Sequence, residues 1–347
     1  MKRFIHVGCG GWGNVWLTRV IPEVKDAASC VAAVDINPKA LEQAETILKL
    51  PREALYTDLA SALQEHQVDF VTISTSIQSH LEVINTVLKY GNGCHILCEK
   101  PIAGTLADCA RIYYNVKQAG IKFAVTFSHR YEDDKQTFEK LLRSGSPGTI
   151  NYIIARIAIA RFGRSSGYHI HPAEMVFIDG GVHNLDMIRA FTGANAVEVY
   201  AKAWNFDAGD NWGGGTAAFA QMQMDNGTKA FLEYSFGGAY TYNSWTHEYF
   251  RAECDKASIE LDNRRITART MNGFPVPEVS EIPLLQGQHW KHDLIVRRFI
   301  QWLDGGSAPD ISIDESIHSM GMLFAVVESS RTGKPVKVKE FMSEFDL

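Results

Sequence analysis

Two polar clusters and one glycine run have residue types and spacings that could do chemistry. In Phe177-Ile178-Asp179-Gly180-Gly181-Val182-His183-Asn184-Leu185-Asp186, the polar residues Asp179, His183 and Asp186 recur at steps of four and three, which on a helix puts them on one face. Their neighbours are apolar, and an unpartnered polar group is costly there. A histidine in such a place can be a satisfied core residue. A carboxylate one turn before it points instead to a tuned proton-transfer group, because imidazole changes charge near neutral pH. Asp186 could equally be a structural partner within the helix. The second cluster, Cys98-Glu99-Lys100-Pro101, ends an apolar run. Read alone, a lysine at a strand end is a solvated charge. Gly8, Gly10 and Gly13 read G-x-G-x-x-G and could present backbone amides to an anion.

Context decides what the glycines do. Residues 2–7 form a short apolar run suited to a buried parallel strand, and residues 14–21 repeat apolar positions at helical spacing before Pro22. A second apolar strand, 29–34, ends in Asp35, about 20 residues past the last glycine, where dinucleotide folds place their ribose ligand. Gly8 then permits the tight turn, Gly10 the close approach of a pyrophosphate, and Gly13 the packing of helix on strand. Asp35 would accept from ribose hydroxyls and repel a 2′-phosphate, and Ile36 offers no neutralising cation. NAD is expected in preference to NADP.

Strand and helix keep alternating to residue 127: strand 68–74, helix 81–90, strand 95–98, helix 106–119, strand 122–127. This is the grammar of a doubly wound parallel sheet, so Lys100, beyond the carboxyl end of its strand, would face a ligand crevice. The pattern then changes to long strands at 150–160, 196–204, 217–224, 229–235, 245–253 and 257–261, with a hairpin signal at Asp225-Asn226-Gly227. Helices are predicted at 176–192, 292–303 and 315–331. The expectation is an α/β chain with an NAD-binding domain at 1–127 and, at 128–347, an α+β domain with a mostly antiparallel sheet for substrate binding and oligomerisation. The late helices could pack back on the first domain.

Net charge is -6, with 34 Lys and Arg against 40 Asp and Glu and no long basic run, so no nucleic-acid or membrane partner is expected. No apolar stretch approaches a membrane span and the start does not read as a leader, which predicts a cytoplasmic protein. The six cysteines form no C-x-x-C pair and read as free core thiols. His169, His171 and Glu174 could suggest a metal, but alternating histidines on a strand face opposite sides. No metal is expected.

Taken together, the glycine turn from Gly8 through Gly11 and Trp12 to Gly13, Asp35, Glu99-Lys100-Pro101 and the Asp179-to-Asp186 run resemble the glucose-fructose oxidoreductase, inositol dehydrogenase and related (Gfo/Idh/MocA) family along nearly the whole chain. The resemblance implies a Rossmann domain followed by an α/β domain on an open sheet. It implies Lys100, Asp179 and His183 as the catalytic residues. It also places Thr75, His80, Glu99 and Lys100, with the glycine turn, about the cofactor, although Ser76 stands where the family commonly has proline. The glycine run that often precedes the catalytic aspartate is replaced by residues 169–175.

The implied reaction is oxidation of a secondary hydroxyl on a sugar, inositol or sugar derivative by hydride transfer to nicotinamide. His183 would be the base, Lys100 would hold the reacting oxygen, and Asp179 would orient His183 or a substrate hydroxyl. His129, Arg130 and His171 are candidates for further hydroxyl contacts. Tyr168, Trp204, Trp212 and Trp245 could stack on a sugar face or simply pack. Two other uses of the site stay open: redox-neutral glycoside cleavage or epimerisation with tightly bound NAD, and a non-enzymatic dinucleotide-binding regulator. A homodimer or homotetramer is expected.

Overall fold

The computed structural model describes residues 1–160, 176–204, 217–238, 247–270 and 278–347. These fall into two compact units. One comprises Met1–Ser128 with His289–Met320, the other His129–Gln288 with Gly321–Leu347. The divide falls twice outside the early boundary, the second time within the helix Ile313–Thr332.

In the first unit six strands make one parallel sheet: β1 (Lys2–Val7), β2 (Ala28–Val34), β3 (Leu55–Tyr56), β4 (Phe70–Ile73), β5 (His95–Cys98) and β6 (Phe123–Val125), in the order β3-β2-β1-β4-β5-β6. The order reverses between β1 and β4, which opens a crevice at the carboxyl ends of those strands. The central strands are apolar on both faces because helices cover both: Phe4, Ile5, Phe70, Val71, Ile73, Ile96 and Leu97 are all buried. Pro22 does not end the first helix where its sequence suggests. Residues 11–23 are helical throughout, and the turn before the proline, Trp16–Val20, widens to π geometry. A proline cannot donate to the carbonyl four residues back, and the wider turn makes room for its ring.

Among the described residues the second unit holds nine strands: β7 (Ile150–Ala160), β8 (Ala196–Trp204), β9 (Ala217–Met224), β10 (Lys229–Gly238), β11 (Tyr249–Cys254), β12 (Ser258–Asp262), β13 (Arg265–Thr270), β14 (Glu278–Ile282) and β15 (Val336–Lys337). Their order is β14-β13-β12-β11-β7-β10-β9-β8-β15, and every pairing is antiparallel except β10 with β7. The Asn226-Gly227 signal does join β9 to β10, with Gly227 at φ 89°. Strands β13, β14 and β15 carry no sequence cue as plain as the others. They are short and half-exposed, so their apolar alternation is weak. Inward positions such as Ala220, Met222, Ala230 and Leu232 are buried, whereas their neighbours Phe219 and Phe231 face outward.

Candidate active site

In the first unit the glycine turn behaves as its sequence requires. Gly8 sits at φ 94°, and a Cβ there would lie 2.7 Å from the Ser74 carbonyl. A Cβ on Gly13 would meet the Gly8 carbonyl oxygen at 1.9 Å, so helix and strand touch only because both residues lack side chains. Cβ atoms on Gly10 and Gly11 would meet nothing within 4 Å. The helix beginning at Gly11 has no side-chain cap, which leaves its first-turn amides directed at that open space. An anion fits there, because the aligned peptide dipoles and the amides favour it together.

Asp35 is half-buried beside the same turn. Its Oδ2 accepts from the amides of Cys9 (2.7 Å) and Gly10 (3.2 Å), and its Oδ1 from Asn37 (2.8 Å). A carboxylate offers about four acceptor positions, so capacity remains for a hydroxyl donor. Beyond it Ile36 is 90% exposed. The residues present therefore fit a dinucleotide, with the amides of 11–13 toward phosphate and Asp35 toward ribose.

The loop after β4 is laced by hydroxyls. Ser79 Oγ donates to Thr75 Oγ1 (2.9 Å), and Ser74 Oγ to the Gly8 carbonyl (2.8 Å). His80, expected at the cofactor, is fully buried. Its Nδ1 lies 3.2 Å from the carbonyls of both Pro101 and Ile102, and its Nε2 lies 3.3 Å from that of Thr75. Burial lowers its pKa. It clasps the serine-rich loop to the turn after Lys100 and shapes the crevice without facing it. The Glu99 carboxylate likewise points inward, to Trp12, Trp16 and His292. Lys100 itself is half-exposed, and its bond to Pro101 is cis.

In the second unit Asp179 and His183 do share one helical stretch, but its geometry differs along the length. Val176–Gly181 is a π turn and Val182–Thr192 an α-helix buried on every side. Asp179 is half-buried and His183 buried. The His183 ring stacks face to face on His129, centroids 3.8 Å apart and planes 5° from parallel. His129 Nδ1 in turn hydrogen-bonds Glu248 Oε1. The two histidines singled out from distant parts of the sequence are thus neighbours.

Arg130 is buried, with Nη1 3.5 Å from Asp186 and Nη2 3.8 Å from Glu139. These two carboxylates flank its guanidinium within the unit. Trp204 lies on the outward face of the second sheet against Phe219, 6.2 Å between centroids. His171, Tyr168, Trp212, Trp245 and the His169, His171, Glu174 trio lie outside the described residues. Among the described residues no cluster of three or more His, Cys, Asp or Glu could hold a metal, and no helix is long and apolar enough to cross a membrane. All six cysteines are free.

Behind His129 sits a buried charge cluster. Lys135, 0% exposed, holds Glu132 (2.9 Å), Asp134 (3.0 Å) and Glu248 (2.9 Å). Burial alone would push Glu248 toward its neutral form, but Lys135 and His129 outweigh it and hold the carboxyl well below the usual range. The carboxylates likewise outweigh burial at Lys135 and keep it charged. The buried Tyr234 hydroxyl is driven upward by burial and by the charges of Asp179 and Glu248. No sequence signal marks this group. Glu132-Asp133-Asp134-Lys135 reads as an exposed helix start, and Glu248 stands in no motif. In the first unit, by contrast, the step of four from Trp12 to Trp16 does signal two indoles on one helix face.

Known proteins resemble both halves. Residues 2–127 match the family model described as oxidoreductase family, NAD-binding Rossmann fold, and residues 136–260 match the GFO/IDH/MocA C-terminal domain. The uncharacterized protein y4oX of Sinorhizobium fredii is 33% identical over 99% of this chain and 97% of its own. Myo-inositol 2-dehydrogenase of Thermotoga maritima is 23% identical over 96% of this chain and 98% of its own. An oxidoreductase from Agrobacterium radiobacter, solved with NAD+, L-tartaric acid and magnesium, superposes with a TM-score of 0.82 at 21% identity, over 98% of this chain and 99% of its own.

Proposed function

Because the chain belongs to the GFO/IDH/MocA oxidoreductase family and carries its NAD-binding Rossmann domain, we propose that it oxidises a secondary hydroxyl of a sugar, inositol or sugar derivative, with NAD preferred to NADP. The observation that carries the reading is the imidazole of His183, one helical turn after Asp179 and stacked on a histidine that a buried glutamate orients. The sugar and inositol classes are supported by relatives such as the myo-inositol dehydrogenase.

Bound NAD supplies the hydride acceptor. The amides at 11–13 hold its phosphates and Asp35 its adenosine ribose. His183 takes the hydroxyl proton, since an imidazole can accept and release one near neutral pH. Lys100, in the role the family resemblance implies, would donate a hydrogen bond to the reacting oxygen and steady its alkoxide character with a compact positive charge. Asp179 orients His183 or a neighbouring substrate hydroxyl, and His129 contributes a further hydroxyl contact from its half-buried edge.

A panel of inositols, sugars, sugar acids and glycosides, incubated with NAD, tests this reading. Reduced nicotinamide should accumulate with one polyol or sugar class. Product release from a glycoside without net reduction would instead establish the redox-neutral use of the site, and no turnover with tight NAD binding would establish a regulator. Six free thiols support a cytoplasmic setting. The outward aromatics of the second sheet, Tyr152, Tyr200, Trp204, Phe219 and Phe231, support a second copy of the chain as their cover. Light scattering should then give a dimer or tetramer, and a monomer at micromolar concentration would overturn that assembly.

A further inference from the structure

Trp12 is 52% exposed, yet its indole is not left to turn freely. Its Nε1 donates to Glu99 Oε1 at 3.0 Å. The same oxygen accepts from Trp16 Nε1 at 2.8 Å and faces His292 Nε2 at 3.2 Å. Glu99 and Trp16 are buried, and the His292 ring lies 5.5 Å from Trp16 and 6.0 Å from Trp12. One carboxylate oxygen thus gathers donors from the helix after the glycine turn and from the helix Lys291–Leu303. That second helix is itself tied down, because Arg297 grips Asp26 through two hydrogen bonds of 2.7 and 2.9 Å and Asp293 at 2.7 Å.

A large apolar ring held half in solvent is unfavourable unless something covers it. Here the ring adjoins the uncapped helix start and the open space at Gly10 and Gly11. We propose that Glu99 and His292 are positioning residues for the dinucleotide, and that they fix the Trp12 indole as a rigid wall of its site. Holding the ring in place before binding removes the entropy that a mobile indole would lose on contact. His292, from the far end of the sequence, is then a determinant of cofactor affinity although no motif contains it.

The test uses the full chain and titrates it with NAD+, following tryptophan fluorescence and, separately, heat of binding. NAD+ should quench the wild-type emission, and Trp12→Phe, which keeps a ring and deletes the N–H, should remove most of that quench. His292→Ala and Glu99→Ala should each raise the NAD+ Kd about tenfold, the effect of one lost polar contact of this kind. Glu99→Gln keeps an oxygen for the indoles and should restore part of the affinity lost in Glu99→Ala. Variants that melt earlier but bind NAD+ within about twofold of wild type would show a structural role alone and overturn the proposal. So would a quench that survives in Trp12→Phe, a half-exposed position where folding is not at stake.

Discussion

At the carboxyl ends of β1 and β2 the groups that face a ligand belong mostly to the main chain: the amides of 11–13, with one half-buried carboxylate, Asp35, beside them. Around His183, the proposed base, side chains are closed in by other side chains: His129 stacked on it, Glu248 behind His129, and Lys135 binding three carboxylates without exposure to solvent. The first arrangement needs little more than glycine at fixed steps, since amides come with every residue. The second needs charges brought from positions more than a hundred residues apart, and each must be answered by another before burial becomes tolerable. Affinity for a common cofactor can rest on the first kind of site. Discrimination among substrates can rest on the second, whose side chains can vary without disturbing the backbone.

The sharpest way to break this contrast is Lys135→Met, which strands Glu132, Asp134 and Glu248 in the interior. A loss of about 3–5 kcal/mol in unfolding free energy is expected, read from denaturant midpoints. A shift under 1 kcal/mol would mean the cluster is hydrated and not a buried scaffold. Next in size, His183→Ala and Lys100→Ala should each cut turnover by about 10²-fold or more while the NAD+ Kd stays put. The proposed roles require that the losses do not add in the double variant. Near-normal turnover in His183→Ala would remove it as the base.

On the main-chain side, Asp35→Ser should weaken NAD+ by about tenfold and narrow the gap to NADP, since one carboxylate supplies both the ribose acceptor and the repulsion. Tighter NADP than NAD+ binding in the unmutated protein would contradict that assignment. The smallest effect concerns acid. Burial favours a neutral Glu99, but bonds from His292 and Trp16 prevail and hold its pKa at about 2, against an ordinary 4.5. Its contribution is therefore intact above pH 4.5 and is lost as pH falls toward about 2. Melting curves of Glu99→Gln should slope less than wild type over that window, and identical slopes would deny the shift.

The same contrast explains what could be read from the sequence. Gly8, Gly13 and Asp35 are legible because their chemistry depends on spacing along one βαβ unit, and the strand order that follows is set by the alternation of apolar runs. Asp179 and His183 are legible as a pair for the same local reason. His80 and Glu99 are legible only by chain position, since packing alone shows that their polar atoms face inward. That Asp186 and Glu139 flank Arg130 has no cue in its sequence surroundings. Glu248 and Lys135 had no legible cue at all: an isolated charge becomes informative only when its burial and its partners are known.

The return of His289–Met320 to the first unit has a consequence for how the protein is made. During synthesis β1 to β6 leave the ribosome long before the helix Lys291–Leu303, with all of β7 to β14 translated in between. Until then Glu99 has no His292 and Asp26 no Arg297. The half of the enzyme that is translated first is among the last to be completed, so a nascent chain stalled at Gln288 would carry every glycine of the turn and still lack the His292 contact to Glu99. Completion of this network therefore waits until residues 289–320 are translated, by which point the strands β7 to β14 are already available to fold.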